Sequence, residues 1–199
     1  MSRPALVLAS ASPRRRELLS QLGIPLTVRV AEVDESPWSD EPPREHTMRL
    51  AQDKAAKIAA QVPDEWVLGA DTVVVIDNRI LGKPNDRDEA FAMLRAISGR
   101  WHTVYTGYCL MHHGRGVRHT GAAESKVFIR QLSDEQIHAY IATGEPMDKA
   151  GAYAIQGIGA ALVQQVRGSY TNVVGLPLAE VAELWERIHG PGVLFGDTR

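Results

Sequence analysis

Three consecutive arginines stand where a helix begins. Ser12-Pro13 reads as an N-cap and a first helical position, so Arg14, Arg15 and Arg16 fall in the first turn. The helix dipole favours negative charge there, and the unpaired backbone N–H groups of that turn also seek an anion. A buried strand feeding a turn of small residues, Ala9-Ser10-Ala11-Ser12, and then a helix is a recurrent cradle for phosphate. The competing reading is three solvated cations; Arg16 faces solvent on either. No histidine lies near Ser10 in sequence to activate it as a nucleophile, so its hydroxyl reads as a phosphate ligand. No Walker-type phosphate loop and no nucleophile elbow occur.

Asp71 interrupts an apolar run, standing between WVLGA and VVVI. A buried carboxylate there needs a cation, a metal or a hydrogen-bond donor; the bland alternative is a turn aspartate after Gly69. Lys54 lies on the apolar side of a helix, with Ala51 and Ile58 as its neighbours one turn away, and either snorkels or reaches an anion. Lys83, in LGKP, and Lys149, in DKAG, sit in short loops of small residues. The acidic loop with Glu32, Asp34 and Glu35 is either a solvated surface or, together with Asp71, an oxygen-donor set for a hard cation such as magnesium. The histidines have no zinc-site spacing, and His112-His113 reads as a turn. Basic groups and carboxylates with no evident covalent nucleophile suit metal-assisted attack of water on phosphorus.

The elements that must hold these residues alternate between strand and helix. A continuous apolar strand, Ala5–Ala9, precedes the arginine helix, which runs to Leu22 with Leu18, Leu19 and Leu22 inward and Gly23 as its stop. LTVRV alternates as a second strand. A helix over Arg44–Gln61 carries an apolar stripe of Met48, Ala51, Ala55, Ile58, Ala59 and Val62. The strand bearing Asp71 turns back at Asp77-Asn78. Then come a helix over Arg87–Ile97, long strands over Trp101–Met111 and Val117–Arg130, and a helix opened by a Ser133/Gln136 capping box and closed at Gly144. A Gly-rich segment leads to a strand, ALVQQVR, and a last helix follows Pro177. The pattern predicts an α/β fold with a mixed twisted sheet and flanking helices. Residues 1–189 form one domain, and 190–199 a flexible tail.

The chain has 199 residues, 44% of them hydrophobic, enough for one domain with a substantial core. A net charge of −2 and the lack of a basic stripe with interleaved aromatics argue against a nucleic-acid module. No apolar run is long enough for a membrane span. Cys109, the single cysteine, excludes an intramolecular disulfide, reads as a buried thiol and fits a reducing cytoplasm, the expected location.

In chain order, LASASPRRRELL (Leu8–Leu19), EVDES (Glu32–Ser36), RLAQDKA (Arg49–Ala55), LGADTVV (Leu68–Val74) and LGKP (Leu81–Pro84) are followed by three further stretches. These are AFAMLRAISG with His102, DKAGAYAIQG (Asp148–Gly157) and NVVGLPL (Asn172–Leu178). The ordered set resembles the Maf family of nucleotide pyrophosphatases. The resemblance implies an α/β fold with two lobes around a cleft, similar to the inosine triphosphate pyrophosphatases, and a homodimer. It implies cleavage of a nucleoside triphosphate between its α- and β-phosphates with a divalent ion, magnesium or manganese. Asp71 becomes the general base; Ser10, Arg14, Arg15, Lys54 and Lys83 become triphosphate ligands; Glu35 and Asp71 become metal ligands.

Three positions separate the family's branches, here Arg14, Thr72 and Gln156. This combination resembles the branch acting on dTTP, UTP and modified pyrimidine nucleotides. The branch acting on 7-methyl-GTP carries Trp, Gln and Glu there, although EVDESPWSDEPPRE looks more like that second branch. A nucleotide-binding regulator of cell division without turnover is the remaining alternative.

Overall fold

The apolar run after Pro4 forms β1, Leu6–Leu8, buried along its whole length. In the computed structural model, which describes residues 4–194, the chain continues into α1, Pro13–Ser20, and β2, Leu26–Val28. The Ser12 hydroxyl caps α1 by accepting from the Arg15 N–H at 3.4 Å. The helix stops two residues short of the expected Leu22, and Gly23 (φ 64°) carries the left-handed turn that follows. Next come α2, Pro43–Ala59, β3, Trp66–Ile76, and β4, Arg79–Leu81. Asp77 and Asn78 both have positive φ, as a two-residue hairpin between β3 and β4 requires.

The second half begins with α3, Arg87–Ile97, capped by Asp86, and the long strands β5, Trp101–His112, and β6, Val117–Ile129. The capping box of Ser133 and Gln136 opens α4, Asp134–Ala142. After short 3₁₀ turns the chain forms β7, Val163–Arg167, then α5, Tyr170–Val174, and α6, Leu178–His189. The five-residue α5 is too short to leave a periodic signature in sequence. His112 departs from the sequence reading as a turn. It is the last residue of β5, 4% exposed, with its ring edge-on to Trp66 at 5.0 Å, because the imidazole body packs well against an indole. Only His113 belongs to the turn.

The strands pair in the order β2-β1-β3-β5-β6-β7, with β4 on β3, giving a seven-stranded sheet. β1 is parallel to both β2 and β3, while β3–β4 and β6–β7 are antiparallel, so the sheet is mixed as expected. The chain divides into two compact units. One holds the residues through Asp71, Thr106–Ala122 and those from Gly175 on; the other holds Thr72–Tyr105 and Ala123–Val174. In the first unit Val7, Val67 and Cys109 pack with Ala51, Ala55, Ile58 and Ala59 of α2. In the second, α3 and α4 close over Val104, Val127 and Ile129. Of the tail expected from Gly190 on, the residues to 194 form a turn with Leu194 buried, and 195–199 lie outside the described residues.

The second unit contains a buried polar pair that makes its stability depend on pH. His102 Nε2 lies 2.8 Å from the Tyr153 hydroxyl, and its Nδ1 has no partner among the described residues. Burial pulls this imidazole down to about 4. The unfolded chain takes up the proton near the ordinary value of about 6.5, the folded chain only near 4. Stability from this group is therefore complete above about pH 7 and drains away as pH falls towards 4, by as much as about 3 kcal/mol. His102→Gln retains a polar group for Tyr153 but does not titrate. Its melting temperature should fall less between about pH 7.5 and pH 5 than that of the parent. Equal falls would remove His102 as the cause.

Candidate active site

Glycine inside a strand marks a place where something must come close. A Cβ on Gly69, in the middle of β3, would lie 2.2 Å from the carbonyl oxygen of Ala51 and 2.8 Å from the amide nitrogen of Ala55. A Cβ on Gly107 of β5 would lie 2.2 Å from the Thr47 carbonyl oxygen. The backbone of α2 thus rests directly on two strands where they lack side chains. Sequence reading takes Gly69 only as the residue before a possible turn and does not single out Gly107, although their place within apolar strands is the available signal.

This contact positions the chemistry. Alternate strand residues share a face, so Gly69 and Asp71 both look toward α2, and Lys54 sits one residue before Ala55. Lys54 Nζ donates to Asp71 Oδ1 at 2.6 Å and pairs with Glu35 Oε1 at 2.7 Å. Lys54 and Asp71 are each 7% exposed, while Glu35 is exposed on its loop. The open alternatives for these residues close accordingly: Asp71 is a mid-strand residue rather than a turn aspartate, and Lys54 reaches anions rather than snorkelling to solvent.

The loop bearing Glu35 is tied down by α2. Arg49 grips Glu41 with two hydrogen bonds, Nε to Oε1 at 2.6 Å and Nη2 to Oε2 at 2.8 Å. It also donates to the Ser36 carbonyl at 3.1 Å and stacks on the Trp38 ring at 4.2 Å. The bond from Arg49 holds the Glu41 carboxyl down at about 2. This clamp is not legible in sequence, where nothing in the local pattern links Glu41 to Arg49 eight positions on.

At the start of α1, Arg15 Nη1 donates to the Ser10 hydroxyl at 3.1 Å and Nε to the Gly175 carbonyl at 2.7 Å. Ser10 also accepts from the Ser12 N–H at 3.2 Å. Burial lowers the Arg15 guanidinium from its ordinary value; Asp71 raises it, Arg14 lowers it and Glu35 raises it. Arg15 therefore lies in the field of the same two carboxylates that hold Lys54. It remains a cation at any ordinary pH. Arg14 is half-buried, and Arg16 is exposed as expected. A shallow, open hollow lies beside the turn, lined by Ser10, Ala11, Ser12, Pro13, Arg16 and Val28.

The remaining sequence candidates belong to the second unit. Thr72 follows Asp71 in β3 and is half-buried; Lys83 is exposed in the loop after β4; Gln156 is half-buried ahead of a 3₁₀ turn. Lys149 pairs with Asp148 and donates to the Glu145 carbonyl at 3.3 Å. Among the described residues no three or more His, Cys, Asp or Glu side chains gather as a metal cluster, and no helix is long and apolar enough to cross a membrane.

Lys54 also holds buried charge in balance. Removing it leaves Asp71 as an uncompensated buried carboxylate, the costly half of a broken ion pair. Lys54→Met should lower stability by about 2 kcal/mol, discounted because Glu35 is solvated. Denaturant titration at neutral pH measures this; an unchanged midpoint would mean that the pair contributes nothing.

These features define an α/β protein with an arginine-rich helix start and a buried lysine held between two carboxylates. The sequence pattern of the family described as Maf-like protein matches residues 5–188. The chain belongs to the Maf family. The dTTP/UTP pyrophosphatase of Anaeromyxobacter dehalogenans (strain 2CP-C) is 53% identical over 94% of this chain and 96% of its own. The dTTP/UTP pyrophosphatase of Syntrophus aciditrophicus is 52% identical over 89% of this chain and 87% of its own. Among solved structures, a HAM1 protein from Coxiella burnetii aligns over 96% of this chain and 95% of its own with a TM-score of 0.47 and 14% identity, too distant to bear on the assignment.

Proposed function

We propose that the protein hydrolyses dTTP, UTP and modified pyrimidine nucleoside triphosphates to the monophosphate and pyrophosphate. The observation that carries this reading is the convergence of Asp71 and Glu35 on Lys54, in the same unit as the arginines that open α1. The names of the relatives, dTTP/UTP pyrophosphatase, support the substrate class. Arg14, Thr72 and Gln156 match that branch as well.

The donor set suits a hard divalent ion. Two carboxylate oxygens already share one positive charge, that of Lys54. Magnesium is commonly held by one or two carboxylates, with substrate phosphates and water completing its shell. Glu35 and Asp71 would hold magnesium or manganese, which when bound supplies Lewis-acid polarisation of a phosphate oxygen.

The chain's own residues do the rest. Arg14 and Arg15, at the positive end of the α1 dipole, hold the triphosphate, with Ser10 fixing Arg15 and adding its hydroxyl. Asp71 orients a water molecule and takes its proton as the water oxygen bonds to the α-phosphorus. The bond from the α-phosphorus to the bridging oxygen breaks, and pyrophosphate leaves with that oxygen and both electrons. Lys54 and Lys83 offset its charge. Gln156 offers both a donor and an acceptor to a pyrimidine edge. We place the enzyme in the cytoplasm as a homodimer, which sedimentation equilibrium would check.

The test is product analysis with dTTP, UTP, CTP, ATP and 7-methyl-GTP in parallel, with magnesium or manganese and with chelator. Monophosphate and pyrophosphate from dTTP and UTP, lost with chelator, are expected. Turnover of 7-methyl-GTP alone would keep the reaction and replace the specificity. No turnover of any substrate would favour a nucleotide-binding regulator.

A further inference from the structure

One carboxylate in the second unit gathers an unusual number of donors. Glu145, in the turn after α4, accepts from the Ile158 N–H through Oε1 at 2.9 Å and from the Gly159 N–H through Oε2 at 2.7 Å. Oε2 also accepts from the Tyr140 hydroxyl at 2.7 Å, and that hydroxyl oxygen accepts in turn from the Ala154 N–H at 3.1 Å. Burial opposes ionisation of Glu145, but the bonds from Tyr140, Gly159 and Ile158 outweigh it and hold the carboxyl below its ordinary value.

The bonded amides flank Gln156 on both sides. Ala154 lies two residues before it, Ile158 and Gly159 two and three residues after. The segment also has no room to pack differently. A Cβ on Gly157, which has φ 69°, would lie 2.2 Å from Glu145 Oε1, and one on Gly159 would lie 2.4 Å from the Ala154 carbonyl oxygen. The carboxylate thus fills the place where a Gly157 side chain would stand; the segment hangs from it directly after Gln156 and through the Tyr140 hydroxyl before it.

We infer that Glu145 is a positioning residue for base selection, fixing the backbone from which Gln156 presents its amide to the nucleobase. The inference rests on the reading of Gln156 as the residue that contacts the base. A glutamine side chain has several rotatable bonds and discriminates only if its backbone is held. A charge-assisted acceptor of two amides and a hydroxyl supplies that hold. Replacing one carboxylate oxygen by an amide NH₂ sets donor against donor, so one of the three bonds is lost and its partner left unsatisfied.

The test compares Glu145→Gln, Tyr140→Phe and Gln156→Ala with the parent enzyme. The readouts are kcat and KM for dTTP and CTP, inhibition by inorganic pyrophosphate, and amide hydrogen exchange across residues 154–159. Glu145→Gln should speed exchange at Ile158 and Gly159 and cut the preference for dTTP over CTP about tenfold, mainly through KM. Inhibition by pyrophosphate, which lacks a base, should stay unchanged. Tyr140→Phe keeps the two amide bonds and should have a smaller effect in the same direction; it also carries the test if Glu145→Gln does not fold. Faster exchange with unchanged selectivity would overturn the positioning role while Gln156→Ala still lowers selectivity. Unchanged selectivity in Gln156→Ala would instead overturn the base-contact reading and this inference with it.

Discussion

Asp71→Asn should lower kcat by at least about a thousandfold while leaving KM for dTTP within a few-fold of the parent. The amide is almost the same size as the carboxylate, and its oxygen still accepts from Lys54 Nζ, now 2.6 Å from Asp71 Oδ1. The strand and the helix above it therefore stay in place. What disappears is the negative charge that, in the proposed mechanism, orients and deprotonates water and completes the pair with Glu35. On the proposed reading the triphosphate is held chiefly by Arg14 and Arg15, so its affinity should survive. Steady-state kinetics with dTTP, alongside direct binding of a non-hydrolysable analogue, separates the two quantities. A raised KM at intact kcat would make Asp71 a ground-state binding residue and would remove it as the base.

The second large effect belongs to a residue with no functional group. Gly69→Ala should destabilise the protein by about 3 kcal/mol or more. The new methyl would meet the backbone of α2 at 2.2 and 2.8 Å, and backbone cannot swing aside as a side chain can. Because α2 carries Lys54, lifting the helix also pulls that ammonium away from Asp71. Activity should thus fall further than the loss of folded protein explains, measured on the fraction that remains native. Gly82→Ala is the control for stability, since a Cβ there meets nothing within 4 Å, and its denaturation midpoint should hardly move. Equal midpoints for Gly69→Ala and the parent would show that α2 has slack above β3 and that the glycine is not what seats Lys54.

Both effects bear on the same economy of construction. A carboxylate buried in a strand is costly unless a cation reaches it. The cation comes from a helix that can approach closely only over glycine. The ionic pair and the bare strand segment are therefore one device, and the membership of the chain in the Maf family fits it: LGADT and QDKA are the two stretches that meet.

The local pattern of the chain was sufficient for what depends on neighbours in sequence. The Ser12 cap, the Asp77-Asn78 turn, the bounds of α3 and the capping box of α4 are written in residues one to four apart, where side chain and backbone meet whatever the rest of the fold does. The anomalies at Arg14, Arg15, Lys54 and Asp71 were equally visible, because charge in an apolar or dipole-opposed setting is conspicuous before its partner is known. The partners were decided by tertiary structure alone. That Lys54 meets Asp71 across 17 positions, that Arg15 donates to Gly175 across 160, and that Arg49 clamps the Glu35 loop through Glu41 all depend on how α1 and α2 seat on the strands. The same holds for Glu145, whose grip on Ile158 and Gly159 arises from a packed turn with no periodic signature. Sequence marks which groups cannot stand alone; tertiary packing, as where the α2 backbone closes on Gly69 and Gly107, determines which groups satisfy them.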